Sequence, residues 1–429
     1  MNYFKKDSCR VCQGNLEDIL SLGEQHLVGF TFPDVDNPGG WEHKEQKPVY
    51  VPLDLVLCSE CKLLQLRHTT NPELLWNENY GYRSGINETM RRELGDIVAS
   101  LEGLKRLEDG DIVVDIACND GTLLEAYSNP NLIRVGYDPS RNVVEQACVA
   151  LCKYGVDKMK IFIDFFSKKP YWQTLDERAK VVTCIAMFYD LDDPNRFIKD
   201  VEGILDPEGV FVIQQNYLVG MLDQTAFCNI VHEHLEYYSL LSLENLLNRH
   251  NLEVFDVSQN DINGGSFRTY IRLKGAEVGT KGGLERVEAM RVKERELGLD
   301  KKDIYLKFAS RVSELSIKLS TFVNEEVAKG KKIYVYGAST RGNTLLQAAK
   351  LDYRQITAAA ERNQFKFGRK CVGTNIPIIS EKEAREANPD YFLVLPWFFK
   401  KEFIEREKEY LESGGKLIFP LPEVEVIQK

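Results

Sequence analysis

The spacing of apolar positions changes character several times along the chain, and the changes mark its parts. Runs rich in branched apolar residues occur at 112–116, 133–137, 160–163, 181–186 and 209–214, separated by helical patterns such as 141–152 and 195–205. Strands that alternate with helices build a parallel sheet covered on both faces. Two further strand patterns follow at 253–257 and 267–272. Only nine residues join them, too few for a parallel crossover, so they are expected to pair antiparallel. Residues 282–330 are charged and helical. There Ile304, Phe308, Val312, Leu315, Leu319, Phe322 and Val323 recur mostly three or four apart, predicting one buried stripe capped by Gly330. A second alternation then begins, with strands at 333–336, 356–360, 376–379, 392–395 and 417–419. That is the pattern of a small doubly wound domain of about 100 residues.

The front of the chain is less regular. Its first ~70 residues hold a loop-rich stretch at 32–48, with Pro33, Pro38, Gly39 and Gly40, and one strand pattern at 51–58. A unit of that size barely buries a core and commonly needs a structural metal. From 73 to 101 the pattern turns helical, passing through Tyr80-Gly81-Tyr82-Arg83-Ser84-Gly85.

Composition narrows the function classes. The chain has 429 residues, 43% hydrophobic and 28% charged, which suits about three globular domains and excludes a disordered or fibrous chain. No apolar run approaches the ~20 residues of a membrane span, and the first residues lack the apolar core of a signal peptide. A net charge of −10 argues against a polyanion-binding surface. The expectation is a cytoplasmic enzyme that binds neither nucleic acid nor membrane. The oligomeric state is left open, a monomer being compatible with the pattern.

Ten cysteines are present, and four stand as Cys9-x-x-Cys12 and Cys58-x-x-Cys61. Two such turns complete a tetrahedral all-sulfur site for Zn2+ or an Fe–S centre, with no position left for a reactive water, so a structural Zn2+ is expected. The other six, Cys118, Cys148, Cys152, Cys184, Cys228 and Cys371, read as small buried residues.

Four segments carry the remaining chemistry. In the first, the strand ending at Asp115-Ile116-Ala117 runs through Cys118-Asn119-Asp120-Gly121 into a helix, so a ligand can approach backbone and helix N-terminus. Asp138 ends the next strand, 23 residues past Asp115, where a carboxylate accepts from both ribose hydroxyls. The Gly-x-Gly-x-x-Gly of a dinucleotide turn is missing, and an acidic turn suits a nucleoside with a cationic appendage, S-adenosylmethionine. Asp164 and Phe165, after the third strand, suit its adenine. The seven-strand pattern with its terminal hairpin fits a class I methyltransferase sheet. In the second segment, His232-Glu233-His234 sits among two carboxylates and the phenols Tyr237 and Tyr238. It reads either as a general base with an orienting Glu or as a structural histidine pair. The third, Asn263-Gly264-Gly265-Ser266, reads as a hairpin turn. The fourth, Gly337-Ala338-Ser339-Thr340-Arg341-Gly342-Asn343, is an anion cradle at a strand–helix turn or plain turn chemistry.

Taken in order, these motifs resemble the nucleotide-sugar C-methyltransferases of deoxysugar biosynthesis over nearly the whole chain. The resemblance implies an α/β chain of four parts. These are a zinc-binding module (1–75), a class I methyltransferase Rossmann-like domain (76–278), a helical connector (279–330) and a smaller Rossmann-like sugar-nucleotide domain (331–429). It implies that His234 removes the proton beside the ketone of a 4-keto sugar nucleotide, with Glu233 tuning or orienting an imidazole. Tyr82, Tyr189 or Tyr237 would stabilise the enolate oxygen. The cofactor set is Asp115, Ala117, Asn119, Asp120, Gly121, Asp138, Asp164 and Phe165, and the metal set Cys9, Cys12, Cys58 and Cys61. Arg83, Arg268, Arg341 and Lys366 would receive the diphosphate, with Ser339 and Asn343 completing the substrate-binding set. The chain departs from the family at Val231, where Tyr is usual, and at 186–190, where an Asn-x-x-x-His pattern is frequent. It also departs at Arg341, where Lys is usual, and at Asn263, where His is common. An O- or N-methyltransferase, or a zinc-ribbon binding protein with an inactive core, are the competing readings.

Overall fold

The computed structural model describes residues 2–27, 31–33, 49–76 and 82–429. Most of the loop-rich stretch 32–48, together with Tyr80 and Gly81, lies outside them. The central sheet has seven strands in the order Leu252–Asn260, Ser266–Leu273, Leu205–Asn216, Ala179–Ile185, Ile112–Ile116, Ile133–Tyr137, Met159–Phe162. The last five are parallel, and the first two form the expected antiparallel hairpin. Side chains alternate across it as the pleat requires. Ile112, Val114 and Ile116 join Val182, Cys184, Phe211 and Ile213 in one apolar layer, while Val113, Val181, Val210 and Val212 face the other. The second layer is covered by the helix Glu88–Leu104, whose Leu94, Ile97, Val98 and Leu101 are buried; Asn87 caps it by accepting from Thr89 N–H. The helical pattern expected over 73–101 is therefore interrupted, by a cap and by the segment before it.

The zinc module holds a four-stranded antiparallel sheet, and one strand of it is not its own. The order is Glu236–Tyr237, Leu64–Leu66, Tyr50–Cys58, Leu16–His26. Glu236 opposes Gln65 and Tyr237 opposes Leu64, so the segment just past the histidines is an edge strand of the front module.

The connector forms two helices, Gly283–Leu297 and Lys302–Ala328. Phe308, Val312, Leu319 and Val323 are buried as expected, Tyr305 joins them, and Ile304, Leu315 and Phe322 pack half-buried against the same core. Buried Glu294 reaches back to cap the helix Leu240–Leu247, accepting from Leu240 N–H at 2.7 Å and Leu241 N–H at 2.8 Å.

The last sheet runs Ile378–Ser380, Ala359–Glu361, Ile333–Tyr336, Tyr391–Val394, Lys416–Phe419, Glu425–Ile427, parallel except for the final strand. A short strand from the front, Thr31–Pro33, pairs with Arg369–Cys371 beside it. One apolar cluster extends from Leu57 through Phe211 and Phe308 to Leu417, so the parts share a core. Two cysteines correct the expectation of burial. Cys148 is half-buried and Cys152 exposed, because they follow one another on the outer side of the helix Arg141–Leu151 and its last turn.

Candidate active site

The four knuckle sulfurs converge within 4.8 Å of one another, with Cys9–Cys61 at 3.5 Å and Cys12–Cys58 at 3.3 Å. Zn–S bonds of about 2.3 Å in a tetrahedron ask for sulfurs about 3.8 Å apart. Val11 N–H and Gln65 Nε2 donate to Cys9 Sγ, Gly14 N–H to Cys12 Sγ, and Glu60 N–H to Cys58 Sγ, at 3.2–3.4 Å. Donors aimed at sulfur favour thiolates, so the donor set fits Zn2+, held by Cys9, Cys12, Cys58 and Cys61 in a structural role.

A cleft of about 1060 Å³, including its open mouth, lies beyond the carboxyl ends of the parallel strands. Asp115, Ala117, Asn119, Asp138, Asp164 and Phe165 line it. Its floor is a contorted turn: Ala117, Asn119 and Gly121 have φ of 61°, 51° and 81°. A Cβ on Gly121 would meet the Ala147 backbone at 3.1 Å, so glycine is required there. Asp138 accepts from Asn119 N–H at 3.1 Å and Ser140 N–H at 2.8 Å, which orients its carboxylate. Burial raises its pKa despite those bonds. Asp115 takes the Thr183 hydroxyl at 2.7 Å, and burial pushes it up to about 7. Asp120 and Gly121 shape the turn without lining the cleft. Asp120 accepts from Gly85 N–H and the Thr122 hydroxyl, while Asn119 accepts from Ser84 N–H and donates to Tyr82 O. These bonds strap residues 82–85 across the turn and leave Tyr82 on the cleft wall.

Neither an extended strand nor a helix carries the histidines. A turn closed by His234 N–H donating to Val231 O at 3.0 Å sends the two rings apart. His232 is buried, with Nε2 on Val51 O of the zinc module at 3.1 Å; burial lowers it to about 4. His234 lines a small cavity with Tyr189, Asn216, Asn229, Glu236 and Tyr237. Its Nδ1 lies 3.1 Å from Asn229 O. A carbonyl only accepts, so the proton sits on Nδ1 and Nε2 keeps its lone pair. Burial first, and then the Arg341 charge, lower His234 to about 3. Tyr189 lies against the imidazole, with ring centroids 4.3 Å apart. Tyr237 spends its hydroxyl on Asn229 O at 3.4 Å. Glu233, raised by burial to about 7, leaves its Oε2 without a hydrogen-bond partner. The orienting task expected of it falls to the Asn229 carbonyl, which the sequence did not single out.

Of the basic candidates, only Arg341 acts on this centre. It lies in the first turn of the helix Thr340–Ala348, which packs on the turn Phe227–Asn229, and its charge acts on His234, Tyr189 and Cys228. Trp397 Nε1 donates to Cys228 Sγ at 3.4 Å across the same boundary. Arg268 is withdrawn from the diphosphate set. Its five N–H groups go to Gln214, Ser100, Tyr270, Glu93 and Asp96, binding the hairpin to the helix Glu88–Leu104. Arg83 turns away, donating to the Gln146 amide oxygen once that amide is oriented to accept. Ser339 caps its helix through Gly342 N–H, and Asn343 holds Val372 O and the Thr374 hydroxyl. Lys366 donates to Ala338 O at 2.9 Å beside Glu361. The Gly264-Gly265 turn, with φ of 88° and 116°, packs on the helix Leu218–Asp223, where Gln224 donates to Gly264 O. The Asn263 side chain lies outside the described residues.

Known proteins decide the family. Residues 9–76 match the "Putative zinc binding domain", 86–257 the "Methyltransferase domain", and 261–422 the "C-methyltransferase C-terminal domain". The C-methyltransferase NovU of Streptomyces niveus is 33% identical over 424 residues, 98% of this chain and 97% of that protein. The chain belongs to the C-methyltransferase family. It is an S-adenosylmethionine-dependent methyltransferase. The ubiquinone biosynthesis O-methyltransferase of Coxiella burnetii is 27% identical over 101 residues, covering 23% of this chain and 41% of that protein. An S-adenosylmethionine-dependent methyltransferase structure from Clostridium acetobutylicum is 16% identical and covers 43% of this chain and 92% of its own, with a TM-score of 0.34. Among the described residues, no helix of this methyltransferase is long and apolar enough to cross a membrane.

Proposed function

We propose that this C-methyltransferase methylates the carbon beside the ketone of a nucleotide-linked keto-deoxysugar, with His234 as the base. The reading rests chiefly on the Asn229–His234 bond, which leaves an imidazole lone pair in a cavity lined by Tyr189, the neighbour in the chain of Asp190 in the cleft wall. S-adenosylmethionine, held by Asp138 and the Asp115–Asn119 turn, supplies an electrophilic methyl group when bound. A C–H beside a ketone is too weak an acid for imidazole unless the growing oxyanion is stabilised. Tyr189 is the phenol whose ring lies against the base. Arg341 would meet the diphosphate, and that anion would offset the positive charge holding His234 down, making it a stronger base once substrate is bound.

The test uses a set of nucleoside diphosphate 4-keto-6-deoxysugars in heavy water with S-adenosylhomocysteine. The parent enzyme should wash deuterium into the acceptor carbon. His234→Asn should lose that exchange and ~10²–10⁴-fold in turnover while binding both ligands as before. Methylation without wash-in would turn the reading towards an O- or N-acceptor.

A further inference from the structure

A second polar side chain shares the cavity of His234. Asn216 ends the strand Leu205–Asn216 at the carboxyl edge of the parallel ladder, where open α/β sheets present their ligands. Its backbone is fixed on both sides. Asn216 pairs in register with Ser266, Tyr217 N–H donates to Gly265 O at 3.1 Å, and Leu218 N–H donates to Tyr238 O at 3.0 Å. The neighbouring Tyr217 hydroxyl is tied to Glu294 at 2.9 Å. The side chain, in contrast, is unfinished: Nδ2 is buried with no hydrogen-bond partner. A buried amide without a partner is costly, and such groups in native proteins ask for an explanation.

Three other hydroxyls near the cavity are committed. Tyr237 donates to Asn229 O, Tyr217 to Glu294, and Tyr238 to Glu236 Oε2. Glu236 Oε1 is also unpartnered, and Tyr189 lines the same cavity against the imidazole, so these two residues compete for the role. Base and donor in one small cavity are the two halves of proton abstraction beside a carbonyl.

We infer that Asn216 is a further catalytic residue, its Nδ2–H donating to the acceptor's carbonyl oxygen and holding the charge that forms there. The inference rests on the C-methylation reading above. His234 Nε2 takes the proton, the C–H electron pair becomes the enolate double bond, and the carbonyl π pair moves to the oxygen facing Asn216. When the carbon takes the methyl group, the sulfur keeps the bonding pair of the S–C bond and the carbonyl re-forms. No oxidant or reductant enters.

Asn216→Asp removes the donor at nearly constant shape, and Asn216→Ala removes the group. Both are assayed with the keto-sugar nucleotides above, by deuterium wash-in with S-adenosylhomocysteine and by methyl transfer. The expected result is a 10²–10³-fold loss of kcat and of exchange, the effect of deleting an oxyanion donor. KM, S-adenosylhomocysteine affinity and melting temperature should stay near the parent's. If either variant folds poorly, Asn216→Ser serves instead; it restores a shorter donor and should fall between Ala and the parent. Exchange at the parent rate in Asn216→Ala overturns the inference. So does a loss confined to Glu236→Ala or to Tyr189→Phe, which moves the role to that residue. A parent enzyme that exchanges none of the probes overturns the C-methylation reading and this inference with it, whereas an exchanging parent with indifferent Asn216 variants overturns the inference alone.

Discussion

A single carbonyl oxygen decides which nitrogen of His234 can take a proton. Asn229 O accepts from both Nδ1 and the Tyr237 hydroxyl, so tautomer and ring orientation are set by backbone, which no side-chain substitution removes. Asp138 is held in a similar way, by two backbone N–H groups that aim its carboxylate at the cleft. Asp138→Ala should weaken S-adenosylmethionine binding by ~1.5–3 kcal/mol, the scale of charge-assisted bonds to both ribose hydroxyls; titration calorimetry reads it, and an unchanged Kd would remove Asp138 from the ribose. Glu236 gives a pH test. Burial raises it to about 8 from an ordinary 4.5, against the opposing pull of Arg10 and the Tyr238 hydroxyl. The native state therefore keeps a proton that the unfolded chain gives up, and stability falls as pH rises from about 4.5 to 8. Glu236→Gln escapes that loss. Its melting temperature relative to the parent should climb between pH 5 and pH 8, and a constant difference would contradict the raised value.

At the scale of elements, the histidine turn is held by a strand pair that crosses a domain boundary. Leu66 N–H donates to Leu235 O and Leu235 N–H to Tyr189 O, both at 2.8 Å. Glu236–Tyr237 is thereby threaded between the zinc module's edge and the turn carrying Tyr189. The strand Leu64–Leu66 is in turn tied to the metal knuckle, since Gln65 donates to Cys9 Sγ and accepts from Arg10. Structural zinc binding is folding free energy. Cys58→Ser should lower zinc below one ion per chain, reduce the melting temperature, and strip hydrogen-exchange protection from Leu66 and Leu235 together. Zinc loss with both amides still protected would mean that the module and the histidine turn are independent.

At the scale of the whole molecule, the proposed active centre lies where three parts meet. The central sheet supplies Asp138 and Asn216, the front module supplies the edge that steadies the histidine turn, and the last domain brings Arg341. The Trp397–Cys228 contact and the pairing of Thr31–Pro33 with Arg369–Cys371 keep that arrangement closed. Because the Arg341 charge helps to lower His234, Arg341→Gln should raise the His234 pKa above about 3. An NMR titration of the imidazole measures it, and an unmoved value would place the guanidinium too far away to matter.

The sequence by itself determined what depends on short spacings. The two Cys-x-x-Cys turns, the period-2 strands, the nine-residue hairpin and the acidic ends of the first two sheet strands all follow from local geometry, which one stretch of chain carries complete. Tertiary structure alone decided matters that join distant residues. Arg268 reads as a cation ready for phosphate, yet Glu93 and Asp96, far behind it in the chain, occupy it. His232 and His234 are indistinguishable by type and spacing. A turn set one ring on Val51 O and the other on Asn229 O, each keeping one nitrogen lone pair, and put His234 in the lining of the cavity that it shares with Asn216. Asn216 carries no motif; its place at the strand end is legible from the parallel pattern, but its unpartnered amide is not. A hydrogen bond, or the lack of one, is settled by what the rest of the fold brings within 3 Å, and no periodicity along the chain encodes that.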